Sequence, residues 1–105
     1  MVDLSKFNRP KVDDITAFLG RQISAEEYAL RCRVRTCRNA AGFQATRASS
    51  PNARAIYWMV SEMASAWVYR AALPHELEQV KDHLEMLLEC AWSAEEIHVN
   101  LEEAA

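Results

Sequence analysis

The sequence predicts a small all-helical bundle of about four helices in a single domain, and three observations predict it. The 105 residues include only two glycines and three prolines, too few for the tight turns a sheet protein needs. Seventeen alanines supply the strongest helix former. Apolar side chains recur every three or four positions through most of the chain, the period of a helix with one buried face. A domain of this length hides roughly two-thirds of its unfolded surface, so its core needs no covalent staples.

The elements follow in order. Residues 1–10 (Met1 to Pro10) lack periodicity and read as an N-terminal arm, leaving 11–105 for the bundle. A short first helix is expected from about Lys11 to Leu19. Ile15, Phe18 and Leu19 form its apolar stripe, Asp13 and Asp14 suit its positive end, and Gly20 stops it. Ser24-Ala-Glu-Glu27 is a capping box that opens a second helix. Ile23, Leu30, Val34, Cys37, Ala41 and Ala45 share one face of it, with Arg31, Arg35 and Arg38 about a quarter-turn round. This helix ends either at Gly42, as a C-terminal cap, or at about Arg47.

Ser50 as cap and Pro51 in the first turn open a third helix that should reach about Leu73. Ile56, Val60, Met63, Trp67 and Ala71 are its expected core stripe, flanked by Met59 and Ala66 on one side and Tyr57, Ala64 and Val68 on the other. Only Ser61, Glu62 and Ser65 make it polar, and Trp58 and Tyr69 border even that strip. A helix apolar nearly all round is a buried one, and a small bundle rarely covers every face within one chain. The third helix is therefore expected to be central. Pro74 opens the fourth, with Leu77, Val80, Leu84, Leu87, Leu88 and Ala91 inward and Glu78, Asp82, Glu85 and Glu89 as an acidic stripe. A second capping box, Ser93-Ala-Glu-Glu96, predicts a restart near Trp92 and a short amphipathic helix at the end.

Charge divides the chain. Residues 1–54 carry ten Lys/Arg against five Asp/Glu, and residues 55–105 carry two against ten. Such polarity suits nucleic-acid binding by one half, or two halves that face each other. Arg31, Arg35 and Arg38 form the candidate basic face; Glu78, Asp82, Glu85 and Glu89 form the acidic one. Their spacings match closely enough to lie alongside each other, within one chain or between two.

Motifs for chemistry are sparse. Glu95-Glu-Ile-His98 has the Glu-x-x-His spacing of helical di-iron sites, which need two such pairs, and it occurs once. No paired Cys or His at short spacing suggests zinc, and two glycines cannot build a phosphate loop. Cys32, Cys37 and Cys90 are odd in number, and the first two point about 140° apart on a helix, so they read as packing residues in a reducing cytoplasm. No apolar run approaches a membrane span, and the polar opening residues do not resemble a secretory leader. No catalytic residue, metal or cofactor is expected.

The function expected is a small non-catalytic protein–protein interaction module (an adaptor, inhibitor or regulator), homo-oligomeric through the third helix. Trp58, Tyr69 and Glu62 are the candidate interface. The alternative is a nucleic-acid-binding regulator using Arg31, Arg35 and Arg38. Glu26 and Glu27 stand against it, since they lie at the start of the would-be recognition helix. A ligand-binding bundle or an enzyme comes third.

Overall fold

The computed structural model describes residues 14–104, so the N-terminal arm and the residues expected to open the first helix lie outside the described part. The described chain is helical without strands: α1 (Asp14–Leu19), α2 (Ala25–Ala45), α3 (Pro51–Trp67) and α4 (Pro74–Ala104). The count of about four bundle helices is not confirmed. Three long helices make the body, and α1 is a six-residue turn leaning on α2. Gly20 ends α1 with a φ of +69°, which a residue without Cβ adopts freely, and its N–H bonds the Thr16 carbonyl.

Local signals set most boundaries. The Ser24 hydroxyl accepts from the Glu27 N–H and starts α2. Gly42 does not cap α2; the helix passes through it and closes at Thr46, whose N–H bonds the Gln44 carbonyl. Ser50 accepts from the Ala53 N–H to open α3, with Pro51 in its first turn. The capping box at Ser93 restarts nothing, because α4 runs unbroken for 31 residues, about 46 Å at the usual rise. The expected separate C-terminal helix is the last part of α4.

The core is built from small residues. Six of the fifteen buried apolar residues are alanines: Ala40, Ala41 and Ala45 of α2, Ala53 and Ala64 of α3, and Ala91 of α4. Alanine at a helix contact lets the backbones approach closely. Val34, Cys37, Leu84 and Leu88 fill the spaces between.

The core stripe expected on α3 needs correction. Its buried stripe is Ala53, Tyr57, Val60 and Ala64, continued by Val68, not the line through Ile56, Met63, Trp67 and Ala71. The stripe is rotated by roughly a sixth of a turn, with the small Ala53 and Ala64 fully buried on it. α2, α3 and α4 each pack on both of the others, and α2 buries nine residues against four in α3.

Candidate interaction surfaces

The arginines of α2 turn inward. Arg31 is fully buried; its Nε donates to Glu27 Oε2 at 2.9 Å and its Nη1 to the Val68 carbonyl at 2.9 Å. Glu27 also accepts from Arg21 Nη2 at 2.8 Å, so one carboxylate joins two guanidiniums. Burial alone would raise the Glu27 carboxyl, but the hydrogen bonds and charges of Arg21 and Arg31 outweigh it and hold it below its ordinary value. Arg31 Nη2 is buried without a hydrogen-bond partner among the described residues.

This network explains where α3 stops. Arg31 takes the Val68 carbonyl from the neighbouring helix, placing a cation at the C-terminal end of α3 as the helix dipole favours. The chain leaves the helix after Trp67 instead of running to Leu73.

The candidate basic face is therefore not an exposed patch. Arg31 and Arg35 are buried and Arg38 is half-buried, so these three do not present an exposed row of cations. Of the acidic stripe, only Glu85 meets an arginine among the bonds described, and that arginine is Arg33 rather than one of the three expected. Asp82 pairs with Lys81 on its own helix at 3.0 Å, while Glu78 and Glu89 are exposed.

Glu95 and His98 serve separate purposes. Glu95 reaches from α4 to the start of α3, where its carboxylate accepts from the Ser49 N–H at 2.9 Å and the Ser50 N–H at 2.7 Å. Burial would raise its pKa, but these bonds and the nearby His98 bring it below the ordinary value. His98 pairs with Glu102 at 2.8 Å. No group of three potential metal ligands comes together among the described residues. Burial and the nearby Glu85 push the Cys37 thiol up to about 12, which keeps it protonated at neutral pH. No described helix is long and apolar enough to cross a membrane.

The outer side of α3 is different in kind. Trp58 is 48% exposed and Met59 beside it is 43% exposed. Ala55, Glu62 and Ala66 share this side and are also exposed, as is Arg54 at its edge. Tyr69 does not belong to it. The tyrosine lies beyond the end of α3 and packs on Phe18 of α1, ring centroids 4.2 Å apart. The candidate pair Trp58 and Tyr69 is thus split, and Met59, expected only as a flank of the core stripe, is the residue that adjoins Trp58.

Other apolar side chains lie outside, on the far side of α4 from its core stripe: Met86, Ile97 and Leu101, with exposed Cys90 between them. An open groove of about 210 Å³ runs beside Trp92, Glu95, Glu96, Val99 and Asn100, all from α4. No protein-family model matches the chain, and neither the curated proteins nor the solved structures contain a match.

Proposed function

We propose that this chain is a non-catalytic protein–protein interaction module whose docking surface is the outer side of α3 and whose partner is a second copy of itself. One observation supports this above the others: Trp58 and Met59 are both largely exposed on the outer side of α3, with the small Ala55 and Ala66 on the same side and Arg54 and Glu62 as its charges. Large side chains with apolar bodies are what interfaces bury at their centres, with charges toward the rim. The role fits an adaptor, inhibitor or regulator that assembles reversibly. Free thiols, including the exposed Cys90, fit a reducing compartment such as the cytoplasm.

Light scattering over a concentration series tests the reading. Wild-type mass should rise with concentration, and Trp58→Glu should hold the protein at monomer mass with its helical circular dichroism intact. A wild type that stays monomeric throughout would end the proposal. So would a Trp58→Glu variant that associates like wild type.

A further inference from the structure

Resting on that reading, we infer that the second copy lies antiparallel on α3 about a two-fold axis at Trp58, with Arg54 of each copy facing Glu62 of the other. Arg54, Trp58 and Glu62 stand at i, i+4 and i+8, so they form a single ridge on successive turns of the helix. Arg54 and Glu62 are about 12 Å apart along the axis, too far to meet within one helix.

The ridge reads cation, indole, anion. Reversed, it reads anion, indole, cation, so it complements an inverted copy of itself. Trp58 is midway, and an antiparallel crossing there brings the two opposite charges together twice. A parallel two-fold would set Arg54 against Arg54 and Glu62 against Glu62, with like charges opposed at both ends. Closed dimers commonly use such self-complementary patches, where one residue meets a second and the second meets the first.

The charges are available for this. Glu62 is exposed and makes no ion pair among the described residues. Arg54 is exposed, and among the described residues its Nη1 reaches only the Ala48 carbonyl, at 3.5 Å, the outer limit of a hydrogen bond. Ala55 adjoins Trp58 and is small enough to admit the indole of the other copy. The face of one 17-residue helix is about 25 Å long, small beside obligate interfaces, so the dimer should form and dissociate with concentration.

Charge reversal tests the register by dilution in sedimentation or light scattering, with circular dichroism confirming the fold of each variant. Arg54→Glu and Glu62→Arg should each weaken self-association at least about tenfold, since two attractive pairs become two repulsive ones. The double variant restores opposite charges and should return to within about threefold of wild type. If the wild type never associates, the surface itself is wrong and the register falls with it. If wild type associates and Trp58→Glu prevents it, but single reversals have no effect or the double does not recover, the surface stands and the antiparallel register is overturned.

Discussion

Arg31 of α2 has no exposure at all, while Trp58 of α3 keeps 48% of its surface in water. By composition the two should have exchanged places: arginine is rarely buried outright and tryptophan is usually well covered. The difference lies in their partners. Arg31 finds a carboxylate and a helix-ending carbonyl within the chain, so its charge is balanced internally. Trp58 has no such cover among the described residues. A polar group buried with partners gives structure, whereas an apolar group exposed beside others of its kind calls for a partner from outside.

The strongest way to break the comparison is at Arg31. Arg31→Ala leaves the Val68 carbonyl without its donor and takes from the buried Glu27 one of its two guanidiniums, Arg21 remaining, so chemical denaturation should show a loss of about 2–3 kcal/mol. Replacing both partners together, as Glu27→Leu with Arg31→Met, should cost far less, because no buried charge is left unpaired. A single variant as stable as wild type would show that the network does not hold the end of α3.

A smaller effect is expected at acid pH. Glu27 and Glu95 both have folded pKa values below their ordinary 4.5, so each contributes stability that is present above that value. That stability is lost as pH falls through the folded values. Thermal melts should be flat through neutral pH and decline below about 4.5. Glu95→Ala should remove part of this acid limb and lower stability by about 1 kcal/mol, the usual effect of losing a helix cap. If the acid limb of Glu95→Ala matched that of wild type, the bonds to Ser49 and Ser50 would contribute nothing.

How much was legible in the sequence differs by helix. In α4 the contrast between leucines and acids fixes the buried face, and Leu77, Leu84, Leu88 and Ala91 are buried as their spacing indicates. On α2 the inward set Val34, Cys37, Ala41 and Ala45 was equally plain. α3 was legible as a helix but not in rotation, since a helix apolar nearly all round gives periodicity little phase to read. Its end was hidden for another reason: the group that takes the Val68 carbonyl is Arg31, far away in sequence. The arginine stripe misled because spacing shows which side chains share a face and not what that face meets. Trp58 was legible as a candidate from the excess of apolar residues on α3. Met59 was not, because its neighbours placed it beside the wrong core stripe.

The central claim is that the outer side of α3 is covered by a second chain in solution. Methyl resonances of the methionines read this directly, because Met59 lies on that side while Met63 is half-buried on α3 and Met86 is exposed on α4. Over a dilution series the Met59 methyl should shift with concentration, while those of Met63 and Met86 stay nearly fixed. A Met59 signal that does not move at any concentration, or a shift confined to Met86, would contradict the account.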